Sequence, residues 1–445
     1  METIKSFDGL TTVTSNIYNY THIKDKKENF LIDKSYVPRG SGSSPRLISA
    51  YNQGKCISIS PNDCNQKLGI DVNEKLISVC PSSTFAEINK YAFRFGLELP
   101  VVPGLQDITI GAGIATCVHG KNQFIYDFGS QIISFEILSF KNELIFCSDK
   151  INSEIFHLTI GGLGSTGLIL NVVLKLKNIS STLIHRNKQR VIDAKEFLDF
   201  YNDSDSNLIG MFGWHDLHTT KKKFGGGFGY KDYLIAGEEI LYSHSDTNTI
   251  EKENVELPFK ALSLGKYLFG SIFNKIYVLK ESLKPNESKF NFYTGAQSSK
   301  GLYWNILRSN GFFEVQFIIP NANYLEFIEY IKFSIKKYNA TTSVCISKPS
   351  KGERGYFRFR GDGVNLDMTA LKSKANFNFL NDINLKAISF EAIPNISKCS
   401  ILQKSQIECL YGDQALKFYS DYQKIFGDEP PKWFLNNGLY DGKNL

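Results

Sequence analysis

The sequence predicts an α+β protein of two domains, and three observations carry that prediction. A chain of 445 residues exceeds one ordinary core. Up to about Asn178 it mixes short apolar strands, a capped helix and glycine-rich turns; beyond that point aromatic residues become frequent and strand candidates alternate with loops. That change of texture reads as a second domain built on an antiparallel sheet with flanking helices.

Taken in order, an apolar segment at Tyr36 gives way to Arg39-Gly40-Ser41-Gly42-Ser43-Ser44, where glycines and hydroxyls can turn backbone N–H groups toward an oxyanion. The same residues suit a linker or a plain turn, and no Gly-Lys-Ser/Thr closes them as a Walker loop would. A strand over Leu76–Cys80 leads into a helix over Phe85–Phe95, with Phe85, Ile88, Ala92 and Phe95 on one face. Thr84 and Glu87 make its capping box, and Gly96 ends it. Ile132–Phe140 and Glu143–Cys147 read as strands joined at Lys141-Asn142.

Gly162-Leu163-Gly164-Ser165-Thr166-Gly167 fits the dinucleotide pattern G-x-G-x-x-G, with Phe156–Ile160 as the strand before it. That pattern needs a helix after the last glycine, whereas Leu168–Leu176 is branched and alternating and reads as strand. A nicotinamide-type site is therefore disfavoured. In the second domain Leu208–Trp214, Phe313–Ile319, Thr342–Ser347 and Gly355–Arg360 are predicted strands, Tyr324–Tyr338 is a helix, and Asp413–Phe426 has near-helical spacing. Between them, Ala236–Glu256 is a polar, acidic loop, and the lysine-dotted apolar run from Leu257 suits either core packing or a lipid-facing lip.

The formal charge of +6 is spread along the chain, which argues against nucleic acid as a partner. The eight cysteines show no zinc spacing, so no metal site is expected and the thiols read as buried in a reducing compartment. Nothing in Met1–Asp8 resembles a charged lead before an apolar run, and no uninterrupted segment is long enough to span a bilayer; the expected location is the cytoplasm.

The stretch Pro103–Asn122 packs Gly104, Gly111, Gly113 and Gly120 among small residues and then presents His119 and Lys121. It supports three readings: glycine-rich turns of a large sheet protein, a phosphate cradle, or a redox-cofactor site with His119 beside the reactive ring.

Together these segments resemble the flavoprotein superfamily of vanillyl-alcohol oxidase and p-cresol methylhydroxylase. The resemblance rests on Arg39–Ser44, on Gly96-Leu97-Glu98-Leu99-Pro100-Val101-Val102-Pro103-Gly104, on Gly111-Ala112-Gly113 through His119-Gly120, and on Gly161–Gly167, in that order and at compatible spacing. His119-Gly120-Lys121-Asn122 with Phe128-Gly129 makes it nearest to the branch that oxidises a polyprenyl-phosphate-linked pentose. Phe212-Gly213-Trp214, Phe292-Tyr293, Trp304-Asn305, Gly311–Pro320, Lys348 and Gly363-Val364-Asn365 continue it.

The resemblance implies a two-part FAD-binding domain, 1–178 with a C-terminal return over 389–445, around a substrate domain over 179–388. It implies noncovalent FAD, with backbone N–H groups near Gly40–Ser44 and Gly111–Gly113 on the pyrophosphate and the Gly161–Gly167 turn along the cofactor. The implied cofactor residues are Arg39, Gly40, Ser41, Gly42, Ser43, Ser44, Pro103, Gly104, Gly111, Ala112, Gly113, Ala115, Thr116, His119, Gly120, Lys121, Asn122, Gly164, Gly167 and Ile169. Lys348 and Tyr293 become candidate bases, Gln316 and Asn365 orient the sugar, and Trp214 and Asp367 complete the substrate site.

The implied reaction oxidises a secondary hydroxyl of an activated, lipid-linked sugar, the first half of a 2′-epimerisation in cell-envelope polysaccharide synthesis. An NAD(P)H-dependent reductase would complete it, quinone or oxygen would take the electrons, and the protein would touch the inner face of the membrane. A soluble aldonolactone or sugar oxidase of the same superfamily and a non-catalytic flavin-fold sugar-binding protein are the alternatives. Four positions depart from the family pattern. Pro45 replaces an aromatic residue, Glu314 the first of two glutamines, Asp367 the active-site cysteine, and Ala392-Ile393-Pro394 leaves an expected lysine missing, with Lys398 nearby.

Overall fold

A computed structural model describes residues 1–20, 32–59, 68–179, 183–203, 207–217, 224–235, 277–291, 307–438 and 440. Tyr293, the Trp304-Asn305 pair, the Ala236–Glu256 loop and the run from Leu257 lie outside them. The fold is α+β, with separate sheets in the two halves. In the first half a four-stranded sheet orders Glu2–Lys5, Thr12–Asn19, Gly54–Ser58 and Tyr36–Arg39, and a five-stranded antiparallel sheet orders Gly69–Asp71, Leu76–Val79, Leu168–Lys175, Ile132–Leu138 and Leu144–Ser148.

Phe85–Ala92 is helical and starts as expected: the Glu87 amide donates to Thr84 Oγ1 while the Thr84 amide donates to the Glu87 carboxylate. A single 3-10 turn follows, and Gly96 stops it in the left-handed conformation at φ 72°. Two predicted strands are corrected. Phe156–Ile160 belongs to a helix over Ser153–Thr159, because a short apolar run does not by itself distinguish the two states. Gly355–Arg360 is a turn: its alternating Phe and Arg side chains do sort inward and outward, but its backbone closes on itself through Arg358 N–H to Gly355 C=O.

The second half is one eight-stranded sheet, ordered Glu287–Asn291, Leu183–Val191, Gly227–Leu234, Leu208–His215, Val344–Ser350, Gly363–Leu371, Phe312–Ile319 and Ile393–Pro394, antiparallel throughout. The last strand comes from the segment expected as the C-terminal return. Helices Ala194–Asn202, Asn321–Tyr338 and Lys374–Ala387 join the sheet in one core with Met211, Val315, Phe317 and Met368. The opposite face of the sheet turns toward the glycine-rich half.

After the sheet, helices Lys404–Tyr411 and Asp413–Phe426 pack back on the first half, where Tyr422 donates to the Ser165 carbonyl. Arg46 ties this return to the glycine-rich loop. Fully buried, it donates from its guanidinium to the carbonyls of Leu402, Leu435 and Asn437, and from its amide to that of Ser397. The expectation of thiols throughout is corrected at Cys80, which is disulfide-bonded, so cysteine usage no longer argues for a reducing compartment. Among the described residues no helix is long and apolar enough to cross a membrane.

Candidate functional site

In antiparallel pairing, residues directly opposite one another share a face. The registers Gly210↔Asp232, Phe212↔Tyr230, Trp214↔Ile346, Ile346↔Asp367 and Glu314↔Thr369 therefore lay one continuous face across the second-half sheet. That face floors a cavity of about 1220 Å³ whose opposite wall is the glycine-rich half. Its volume exceeds the roughly 300–1,000 Å³ of an ordinary ligand pocket. There is room for a large cofactor and a substrate together.

The expected cofactor residues converge on this wall. Arg39, Gly40, Ser41, Gly42, Ser43, Ser44, Pro103, Gly104, Gly111, Ala112, Thr116, His119, Gly120, Lys121, Asn122, Gly164, Gly167 and Ile169 all line the cavity. Gly113 and Ala115 do not: Gly113 lies so close to Phe85 that a Cβ would meet its ring at 2.8 Å, and the Ala115 carbonyl accepts from Leu163.

The anion cradle is narrower than expected. The amides of Gly111, Ala112 and Gly113 already donate to Pro81 O, Thr109 Oγ1 and Thr109 O, so they are not spare donors. The amides from Ser41 to Ser44 donate to no acceptor among the described residues, which leaves that loop as the donor set for a pyrophosphate. Gly40 allows its approach, since a Cβ there would stand 2.4 Å from Thr109 Oγ1 and 2.9 Å from Ala112 Cβ.

His119 anchors a buried chain of amides. The Asn395 amide donates to Gln316 Oε1 at 2.6 Å; Gln316 Nε2 reaches His119 Nε2 at 3.2 Å and donates to Asn365 Oδ1 at 2.9 Å; Asn365 Nδ2 donates to Gln123 Oε1 at 2.8 Å. With Gln316 as donor at both contacts, His119 Nε2 accepts and the ring proton sits on Nδ1. Burial, then the charges of Lys348 and Lys398, hold the His119 pKa well below its usual value, so the ring is neutral. Gln316 and Asn365, expected on the sugar, are fully buried behind His119 and do not line the cavity.

Lys348, Trp214 and Asp367 do line it. Lys348 has no hydrogen-bond or ion-pair partner among the described residues, and burial, followed by the Lys398 charge, brings its pKa down to about 7. Lys398, the lysine near the expected position in sequence, also reaches the cavity, with Nζ 2.6 Å from Glu314 Oε1 and 2.5 Å from Asp367 Oδ2. Burial would lower its pKa, but the Asp367 and Glu314 carboxylates outweigh that and raise it, so Lys398 is a fixed cation. Asn395 and Gln123 were also missed, although Gln123 follows Lys121 by only two residues.

At the far end of the same sheet face, Arg186 pairs bidentately with Asp232 at 2.6 and 2.7 Å. Lys121 Nζ lies 4.7 Å from the Phe212 ring centre and Arg186 5.0 Å from it. Burial, then the Arg186 charge, lowers the Lys121 pKa to about 8.

Residues 32–148 match the family described as the FAD binding domain. This part of the chain is an FAD-binding domain. The cavity fits that cofactor, with the Ser41–Ser44 amides as anion donors and His119 and Lys121 on the same wall. The chain is 27% identical over 195 residues to a decaprenylphosphoryl-beta-D-ribose oxidase of Mycolicibacterium smegmatis, covering 43% of this chain and 42% of that one. It is 26% identical over 136 residues to an L-gulonolactone oxidase of Scyliorhinus torazame, covering 31% and 30%. It is 29% identical over 152 residues to a D-arabinono-1,4-lactone oxidase of Debaryomyces hansenii, covering 32% and 27%. The matches thus span less than half the length of each of these relatives.

Proposed function

We propose that the FAD-binding chain is an oxidoreductase acting on a secondary hydroxyl of a sugar, with a polyprenyl-phosphate-linked pentose as its substrate. The observation that carries this reading is the meeting of Lys348 with the His119 wall over one sheet face, in a cavity that also holds the Lys121–Arg186 cluster. FAD, when bound, supplies the acceptor for the hydride that leaves the carbon bearing the hydroxyl.

Lys348 Nζ is the base in this scheme. It takes the hydroxyl proton as the carbon–oxygen bond becomes a carbonyl, and a pKa of about 7 leaves much of it unprotonated at neutral pH. Lys398 and His119 are unsuited to that step, the first being a paired cation and the second having Nε2 engaged by Gln316. Gln316, Asn365, Asn395 and Gln123 act by fixing the tautomer and plane of His119, which packs 5.1 Å from the Phe359 ring. FAD is held without a covalent bond in this scheme. Trp214, on the cavity floor, stands beside the sugar or its tail, and Tyr293 retains the role of a second candidate base.

Lys121 and Arg186 set two cations beside the Asp232 carboxylate, a cluster suited to a phosphate. That feature favours a phosphate-linked sugar over a free aldonolactone. The product would be a keto-sugar, reduced in turn by an NAD(P)H-dependent partner in an epimerisation for cell-envelope synthesis, with quinone or oxygen as the electron acceptor. A lipid tail would bring the protein to the inner face of the membrane, with residues 1–178 and 389–445 as the flavin unit and 179–388 as the substrate unit.

Competition kinetics test the choice of substrate. A farnesylphosphoryl pentofuranose is expected to be oxidised with a kcat/KM at least about 100-fold above that of L-gulono-1,4-lactone, and Lys121→Ala to raise KM for the phosphate ester alone. Equal or better turnover of the lactone, unaffected by Lys121→Ala, would transfer the protein to the lactone oxidases.

A further inference from the structure

We propose that Glu314, Asp367 and Lys398 form a charge-selective subsite at the reacting end of the cavity, accepting hydrogen bonds from neutral sugar hydroxyls and rejecting a sugar that carries a carboxylate there. The proposal rests on the reading that the cavity takes a sugar. It concerns which sugars.

Glu314 stands on the Phe312–Ile319 strand, every residue of which is buried, and is itself 1% exposed while lining the cavity. A carboxylate in such a strand is costly unless its oxygens are satisfied. Only one of them is: Oε1 meets Lys398, whereas Oε2 has no hydrogen-bond partner among the described residues. Asp367 lies one strand over, opposite Gln316, with its side chain 16% exposed and Oδ2 on the same ammonium. One cation is therefore shared between two carboxyl groups; burial raises the Glu314 pKa to about 8, and above that pH the cluster carries a negative excess.

Lys348 does not cancel that excess, because Lys398 beside it and its own burial favour the uncharged amine. The opposite end of the same sheet face has the reverse sign, with Lys121 and Arg186 facing Asp232. A ligand spanning the cavity is thus read for polarity: the anion belongs at the Lys121 end, and hydrogen-bond donors without negative charge belong at the Glu314 end. A hydroxyl can give its proton to Asp367, whose side chain is 16% exposed, with the Glu314 carboxylate just behind it; a ligand carboxylate has no proton to give and is repelled by both.

The test measures binding without turnover, at pH 9.5, above the value of about 8 to which burial raises the Glu314 pKa, so that this carboxyl is ionised. Dithionite-reduced, FAD-loaded protein is titrated calorimetrically under anaerobic conditions with farnesylphosphoryl pentofuranose and with the corresponding pentofuranuronate, in which a C5 carboxylate replaces the hydroxymethyl group. The native chain is expected to bind the neutral ester at least about 100-fold more tightly. Glu314→Gln combined with Asp367→Asn is expected to bring the two affinities within about tenfold or to reverse their order, because Lys398 then faces the ligand unpaired; Glu314→Gln alone gives an intermediate ratio.

Equal affinities in the native chain, or a native ratio kept by the double variant, overturn the subsite. Discrimination without flavin reduction by the neutral ester in the oxidised protein supports the subsite and overturns the oxidation proposed above. Failure of both probes to bind overturns both.

Discussion

In the FAD-loaded protein, Lys348→Ala is expected to lower kcat by about 10²–10⁴-fold, the range for removal of a positioned general base, while the bound flavin and its spectrum are retained. Lys348 combines the three properties the step requires. It faces the cavity, it has no partner among the described residues, and its pKa is brought down to about 7 by burial and by Lys398. The sign of the pH dependence follows: a base works deprotonated, so kcat/KM of the native chain rises with pH through about 7 and levels above it. The alanine variant loses that limb. A variant with native turnover, or one that keeps the limb, would remove Lys348 from the mechanism and turn attention to Tyr293.

Arg46→Met is expected to destabilise the fold by about 3–5 kcal/mol, because three buried carbonyls lose a charged donor at roughly 1–3 kcal/mol each and only part of that is recovered by relaxation. The guanidinium is fully buried, and its pKa falls to about 10 by burial, which leaves it charged at neutral pH. Its acceptors at Leu402, Leu435 and Asn437 all lie in the C-terminal return, while its own chain position adjoins the Ser41–Ser44 loop. Loss of the fork therefore loosens the return from the pyrophosphate loop, and FAD affinity is expected to fall with the melting temperature. Arg46→Lys should rescue little, since one ammonium cannot span three carbonyls as a planar fork does. Melting curves with and without FAD read both effects, and an unchanged melting temperature in Arg46→Met would contradict this account of the tie.

The legible parts of the sequence were those whose chemistry is local. A capping box is written in Thr84 and Glu87, and a strand after Gly167 in the branched residues of Leu168–Lys175; neither depends on what lies across the molecule. The glycine-rich loops were readable for a related reason, since close backbone approach at Gly40 or Gly164 requires the missing side chain wherever the partner sits. Contacts across sequence distance were not legible. Lys398 enters the cavity from the turn after Ile393–Pro394, and nothing along the chain says that its ammonium will meet carboxylates from two other strands. The Gly355–Arg360 alternation misled because period two reports burial on one side and not a hydrogen-bonded neighbour. In that segment Arg360 instead reaches Asp127 at 2.7 Å. Spare and engaged amides at Ser41–Ser44 and Gly111–Gly113 look alike in sequence and differ only in what the fold puts beside them.

The measurement that bears most directly on the central claim is the visible absorption spectrum of the purified, FAD-loaded protein before and after anaerobic addition of a farnesylphosphoryl pentofuranose. The expected result is an oxidised-flavin spectrum that bleaches on addition, with a keto-sugar formed in equal amount. An oxidised-flavin spectrum that persists, with no keto-sugar formed, would contradict it.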